Sequence, residues 1–560
     1  MPLLEVNNLS IDYKTSSGVF SAVKNLSFSL EKGKSIGIIG ESGSGKTTVG
    51  MGIMRLLADN AIVQNGKIIF KAEDILTMSE EKIVALRGGK ISMIFQAAMN
   101  SLNPVHRVGD QISEVLQVHD NKLSKNQADE KVKELFKDVG LSLSRISDFP
   151  HQYSGGMKQR AVIAMAIACK PDIIIADEPT TALDMIVQSQ ILKKLKEIQK
   201  KNNIAIVLIS HDIGVVSEIC HDIAVLYKGE MIEYGKKDDI LASPLHQFTK
   251  KLISSCITLE SIKNLSEFRG RDCAGNTYCC DSHNKKNLID QKDLILEFKD
   301  VSKCYNSGRS WFNRRADRVA ALNNVSFNIK RGEIFGLVGA SGSGKTTIGR
   351  ILVKLEKPDT GTITFNNMDV KNLKGRSLKE FRKKVQMVSQ DPYQSLNPYF
   401  SVYDIVAEPL IIHTEKIKKE CLVLISSLLE DLGLFPAEEY LYRYPHQLSG
   451  GQRQKVAIAR GMVLNPEFML ADEPTSMLDS SVSMQIFTLL VHLKKKLGVT
   501  FLFITHNIAA AHLLCDRVAV IHHGEIVEMG DCKKIIKDPQ AEHTKELIDS
   551  HPEFLLKTRY

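Results

Sequence analysis

No stretch of this 560-residue sequence holds the roughly 18 consecutive apolar residues that a membrane-crossing helix needs. The best candidates, such as AVIAMAIAC from Ala161 to Cys169, stop at about half that length against Lys170, so the chain is not expected to span a bilayer by itself. A basic region followed by an apolar stretch is missing from the opening MPLLEVNNLSIDYK, and the ten cysteines follow no regular framework. Both absences fit a reducing cytosol. A strong excess of one charge is lacking too: 73 basic against 65 acidic residues leave a net +8, too mild at this length to indicate a nucleic-acid binder. What is present, 43% hydrophobic and 25% charged residues, is the composition of an ordinary globular protein, and the length calls for two or more domains.

The sequence repeats itself. QAAMNSLNP (Gln96 to Pro104) is answered by QDPYQSLNP (Gln390 to Pro398), and GESGSGKTT (Gly40 to Thr48) by GASGSGKTT (Gly339 to Thr347). PHQYSGGMKQR answers PHQLSGGQRQK, IIIADEPTTALD answers FMLADEPTSMLD, and LISHD answers FITHN, in the same order. Ser154 and Ser449, Asp177 and Asp472, and His211 and His506 are each 295 residues apart, so the small insertions and deletions lie before the signature segment. We read a tandem duplication: a first domain over residues 1–255, a linker over 256–293, a second domain over 294–548 and a tail over 549–560. The linker is polar, with no sustained helical or alternating period. Within each copy, strand-like runs such as SIGIIG, DIIIADE and IAIVLIS alternate with helical patterns such as IVQSQILKKLKEIQKK, which predicts an α/β domain with a mostly parallel sheet and flanking helices.

GxxxxGK[ST] between a strand and a helix is the phosphate-binding loop, in which glycines let backbone N–H groups converge on phosphate oxygens at a helix N-terminus. In the first copy it comprises Gly40, Glu41, Ser42, Gly43, Ser44, Gly45, Lys46, Thr47 and Thr48. In the second it comprises Gly339, Ala340, Ser341, Gly342, Ser343, Gly344, Lys345, Thr346 and Thr347. Lys46 and Lys345 are expected to reach the β- and γ-phosphates of ATP, and Thr47 and Thr346 to ligate Mg²⁺. A single chance match in a chain this long has a probability on the order of a few per cent; two, each followed by the same motifs, leave little room for chance. Asp177 and Asp472 end apolar strands, the position of the carboxylate that holds Mg²⁺ through its water shell. Glu178 and Glu473 follow, each before a proline that ends the strand, and are placed to orient or deprotonate the attacking water.

Phosphate loop, glutamine loop, SGG signature, ADEP and strand-end histidine, in order and twice, resemble the nucleotide-binding domains of ABC transporters over about nine-tenths of the chain. The resemblance implies two tandem P-loop ATPase domains, each with an antiparallel subdomain and a helical signature subdomain beside the parallel sheet. It further implies that the two domains pair head to tail within one chain. Lys46, Gln96, Asp177, Glu178 and His211 would then share one ATP with Ser449, Gly450 and Gly451, and Lys345, Gln390, Asp472, Glu473 and His506 would share another with Ser154, Gly155 and Gly156. Gln96 and Gln390 are implied to face the Mg²⁺–ATP, His211 and His506 to bond the γ-phosphate, and Asp184 and Asp479 to line the seam. Tyr13 and Tyr305, each a few residues after the first strand, resemble the aromatic that stacks on adenine. The first signature, YSGGM, departs from the usual LSGGQ at Tyr153 and Met157 but keeps the serine and glycines, and both sites are expected to hydrolyse ATP.

FQAAMNSLNP, SQDPYQSLNP, both PHQ segments, SPLHQFTKKLI and DPQAEHTKELI are similar to the peptide, nickel and opine importer branch of that family. This implies an ATPase subunit that energises peptide uptake, peripheral on the cytoplasmic face of the inner membrane, with two permease subunits and a solute-binding protein as partners and no nucleic acid. The alternatives are a nickel, opine or glutathione importer, or a soluble tandem ATPase acting on ribosomes or DNA; the short, non-helical linker and the lack of inserted zinc modules argue against the last. The SLNP turn after each glutamine is expected to shape a groove for a permease helix, so that Leu102→Arg or Leu396→Arg should uncouple transport while sparing basal ATP hydrolysis. Cys273, Cys279 and Cys280, spaced C-x5-CC without a fourth ligand, read as unligated linker cysteines, and RSWFNRRADR from Arg309 to Arg318 as a solvated hairpin tip.

Overall fold

The structure, a computed structural model, describes residues 2–15, 18–96, 101–120, 122–180, 183–255, 294–306, 318–414, 418–476 and 478–551. The linker with its three cysteines, the segment 309–317, residues 97–100 and the tail from 552 lie outside the described residues. The chain divides into two compact units, each with its own core.

In the first unit a ten-stranded sheet runs, in spatial order, Glu73–Asp74, Ala61–Phe70, Leu4–Thr15, Gly18–Leu30, Glu230–Lys236, Asp222–Tyr227, Ser35–Ile39, Ala205–Ser210, Ile173–Asp177 and Ile91–Ile94. The last five strands are mutually parallel. Ser35–Ile39, Ile173–Asp177 and Ala205–Ser210 are buried at every position, which is why they read as unbroken apolar runs: helices cover both faces. The first four strands pair antiparallel and form the expected antiparallel subdomain. They join the rest through one parallel residue pair, Lys24 with Glu230.

The second unit repeats this architecture as two sheets. Arg318–Lys330, Leu294–Asn306, Thr360–Phe365 and Met368–Asp369 form the antiparallel one, and Val385–Val388, Phe468–Asp472, Thr500–Thr505, Ile334–Val338, Arg517–His522 and Glu525–Asp531 the mostly parallel one. The backbone bond at the junction of the antiparallel and parallel parts of the first unit's sheet, Lys24 N to Gly229 O at 2.8 Å, has a counterpart between the two sheets of the second in Asn323 N to Gly524 O at 2.9 Å. In both units the strands that carry site residues end at the same edge of the parallel sheet, where the loops gather.

A helical subdomain completes each unit. In the first, the signature helix Gly155–Ile167 packs against Val108–His119 and Lys125–Asp138; in the second, Gly450–Met462 packs against Val402–His413 and Lys418–Asp431. Leu102 and Leu396 belong to these cores, at 4% and 3% exposure. The two leucines are pinned inward, so they can shape the groove only through the core beneath it, and Leu396 also lines the cleft described below.

Candidate ATP sites

The phosphate loop leaves the strand Ser35–Ile39 and closes on the helix Lys46–Ile53. Its turn needs glycine at Gly45: φ is +99°, and a Cβ there would sit 2.2 Å from the Ala22 carbonyl oxygen. Gly344 repeats this at φ +106°, with a Cβ 2.6 Å from Ala321 O. Each loop folds around its lysine. Lys46 Nζ donates to Gly40 O and Glu41 O at 2.8 Å each, and Lys345 Nζ to Gly339 O and Ala340 O at 2.8 Å each. Burial lowers the Lys345 ammonium from its usual value, against the pull of Glu473 and Asp472.

Asp177 and Asp472 end their strands at 1% and 2% exposure. Burial pushes both carboxyls up to about 6; hydrogen bonds from Thr47 to Asp177 and from Thr346 to Asp472 pull the other way. Oδ1 of each aspartate is buried without a hydrogen-bond partner, as is the hydroxyl of Ser44 and of Ser343. A buried carboxylate oxygen left this way is costly unless a cation or its water shell meets it. The donor set, aspartate beside threonine and serine oxygens, suits a hard divalent cation, so the residues present fit Mg²⁺.

In each unit the expected glutamine and histidine converge on one carboxylate. Glu178 accepts from Gln96 Nε2 at 2.8 Å and pairs with His211 Nδ1 at 2.9 Å. Glu473 accepts from Gln390 Nε2 at 3.0 Å, pairs with His506 Nδ1 at 3.2 Å and lies 3.9 Å from Lys345 Nζ. Burial works against a charged His211, yet the bond and charge of Glu178 outweigh it and raise the imidazole above its usual range. Burial likewise opposes an ionised Glu473, while His506 and Lys345 hold its carboxyl below the usual range.

Pro179 and Pro474 predict extended glutamates before them, but Glu178 and Glu473 are left-handed, at φ +46° and +45°. Their N–H groups still extend the ladder, to Ile209 O and Ile504 O at 2.9 Å each. The kink turns each carboxylate away from the strand alternation and toward glutamine and histidine.

The signature serines cap their helices. Ser154 Oγ accepts from Met157 N at 3.3 Å; Ser449 Oγ accepts from Gln452 N at 3.3 Å, and Gln452 Oε1 in turn accepts from Ser449 N at 2.9 Å. Met157 cannot return that bond, so the YSGGM departure removes half of a capping box. Tyr153 replaces Leu448 in the core and satisfies its hydroxyl on Arg145 O at 2.8 Å; burial pushes its phenol up to about 12. Asp479 caps the following helix through Val482 N at 2.9 Å.

Tyr13 and Tyr305 lie within their first strands, Leu4–Thr15 and Leu294–Asn306, rather than after them, because pairing on both sides carries those strands beyond the apolar run. Tyr13 Oη lies 3.4 Å from Thr48 Oγ1, while Tyr305 donates to Glu356, which also pairs with Arg350 at 3.1 Å. Glu356 was not anticipated from sequence, since Leu57 holds the corresponding place in the first copy.

These two constellations, each on the strand ends of a mostly parallel sheet, define a nucleotide-hydrolysing cassette protein with Mg²⁺ and ATP at its sites. The family model described as ABC transporter matches residues 23–181 and again 322–476, and the model described as oligopeptide/dipeptide transporter, C-terminal region, matches residues 232–275. The chain belongs to the ABC transporter family. It is 38% identical over 561 aligned residues to the glutathione import ATP-binding protein GsiA of Shigella dysenteriae serotype 1, covering 98% of this chain and 89% of that one. The protein of the same name from Escherichia coli K12 matches with the same identity and coverage. Among solved structures, the dimeric post-hydrolysis state of the ATP-binding cassette MJ0796 bound to ADP and Pi is 33% identical, with a TM-score of 0.39, over 42% of this chain and 99% of that one.

Proposed function

We propose that this chain is the ATP-hydrolysing subunit of an importer that takes up peptides or peptide-like solutes through separate permease subunits. The observation that carries the reading is the joint presence of two complete glutamine–glutamate–histidine constellations and the oligopeptide/dipeptide transporter match. The glutathione-import relatives, which handle a small peptide by name, support it.

In this reading the phosphate loops bind the β- and γ-phosphates of ATP through backbone N–H groups and the lysines. Asp177 with Thr47, and Asp472 with Thr346, hold the Mg²⁺, which when bound neutralises charge developing on the phosphates. Glu178 and Glu473 take the proton of the attacking water, held at that task by glutamine on one oxygen and histidine on the other or beside it. His211 and His506 hand the γ-phosphate a hydrogen bond, and the N-termini of the signature helices, capped by Ser154 and Ser449, bind phosphate. Tyr13 and Tyr305 stack on the base.

No helix among the described residues is long and apolar enough to cross a membrane, and in this reading solute passes through the separate permease subunits. The second unit offers a cleft of about 410 Å³ between Val385–Ser389, Ser395–Leu396, Glu408–His413 and the signature helix, closed at one side by the Arg460–Glu408 pair at 2.8 Å. Ile412, which lines it, is 52% exposed. We assign this cleft to a permease helix, which places the chain peripherally at the inner membrane. Co-purification with its permeases, followed by ATP-dependent uptake of di- and oligopeptides into vesicles, tests the reading. Cosedimentation with ribosomes and no binding to a membrane subunit would overturn it.

A further inference from the structure

The second unit contains a buried histidine that the hydrolytic scheme does not use. His551 follows the helix Glu542–Asp549, is 1% exposed, and places Nε2 2.9 Å from Asn507 Oδ1. Asn507 is the residue after His506 and caps the helix Ile508–Leu514: the same Oδ1 accepts from Ala510 N at 2.9 Å, and Asn507 N donates to Thr505 Oγ1 at 3.0 Å. An oxygen that already accepts a backbone N–H requires a donor from its second partner, which fixes the proton of His551 on Nε2. Burial, reinforced by His506, drives the imidazole down to about 3, so it donates as a neutral ring.

The first repeat is built differently. Asp212 stands where Asn507 does and accepts from Gly214 N at 2.8 Å, and its charge raises the neighbouring His211. The residue 295 positions before His551 is Cys256, outside the described residues. Histidine 211 thus has a carboxylate neighbour, whereas histidine 506 has a neutral amide tied to the chain beyond the last helix.

We propose that His551 is a positioning residue for ATP hydrolysis at the second site: by donating to Asn507 it holds the turn that carries His506 in reach of Glu473. This rests on the assignment of Glu473 and His506 as hydrolytic residues. The link makes the helix Glu542–Asp549 part of the second site's support, since Thr544 and Leu547 anchor that helix in the core.

The test uses the full chain with Glu178→Gln, so that turnover reports the second site. His551→Ala lowers kcat about five- to tenfold with KM for ATP changed less than about twofold; His551→Gln, which keeps an N–H donor, restores kcat to within about twofold; His551→Phe, which fills the space without a donor, behaves as Ala. Asn507→Ala combined with His551→Ala costs no more than Asn507→Ala alone, as expected when the His551 bond is already lost with Asn507. Wild-type kcat in the Phe variant, or additive losses in the cycle, would show that His551 only fills volume and overturn the proposal. Turnover that survives Glu178→Gln together with Glu473→Gln would instead break the underlying assignment, a result the His551 variants do not produce.

Discussion

The two repeats hold their reacting groups almost identically and differ in what surrounds them. Loop lysine and left-handed glutamate match to within a few tenths of an ångström in their bonds, while the signature cap and the histidine's neighbour differ and Tyr305 gains Glu356 as a second partner. The groups we assign to the phosphates keep one geometry in both repeats, whereas the side chains that support them hold that geometry by several chemistries. A duplicated site can therefore diverge in how each half is regulated without losing either half's chemistry.

The largest expected effect tests the equivalence itself. Glu178→Gln with Glu473→Gln should lower ATP turnover by about 10²- to 10⁴-fold, the usual worth of a general base, while each single variant keeps the turnover of its intact site and the two singles lose equal shares. Abolition by Glu178→Gln beside an unaffected Glu473→Gln, measured by phosphate release, would break the comparison. Next come the buried leucines. Leu102→Arg and Leu396→Arg each place an unpaired charge in a helical-subdomain core, at a cost of about 3 kcal/mol or more, so each should weaken its own unit's thermal transition rather than leave hydrolysis intact.

A pH scan sharpens the contrast further. The unfolded chain protonates His551 near 6.5 and the folded one only near 3, so stability should be full above pH 6.5 and fall as the solution is acidified toward 3. At pH 5 this amounts to about 2 kcal/mol, which His551→Gln should remove from calorimetric unfolding of the second unit. The smallest effect concerns the signature caps: Met157→Gln should complete the capping box of the first repeat and add about 0.5 kcal/mol, with Gln452→Met removing a similar amount from the second.

Much of this was legible in the residues alone. The fully buried strands advertise themselves as apolar runs, the glycines mark the loop, and the repeat fixes which aspartate, glutamate, glutamine and histidine correspond. What escaped was set by partners distant in sequence. Tyr13 and Tyr305 sit inside strands whose length is decided by pairing on both flanks. Leu102 and Leu396 look like exposed turn residues until the helices above them close. The left-handed glutamates run against the preference of a residue before proline, so only the three-dimensional arrangement reveals them. His551 has no like residue in the other repeat, and a reading guided by repetition passes over what is not repeated.

Each left-handed glutamate also sets durability against work. A side chain in that backbone region costs on the order of 1 kcal/mol, which glycine would relieve. Replacing Glu178 or Glu473 with glycine should thus leave a unit at least as resistant to heat as before and idle as a hydrolase, so the chain keeps its two engines only by carrying two small, permanent distortions.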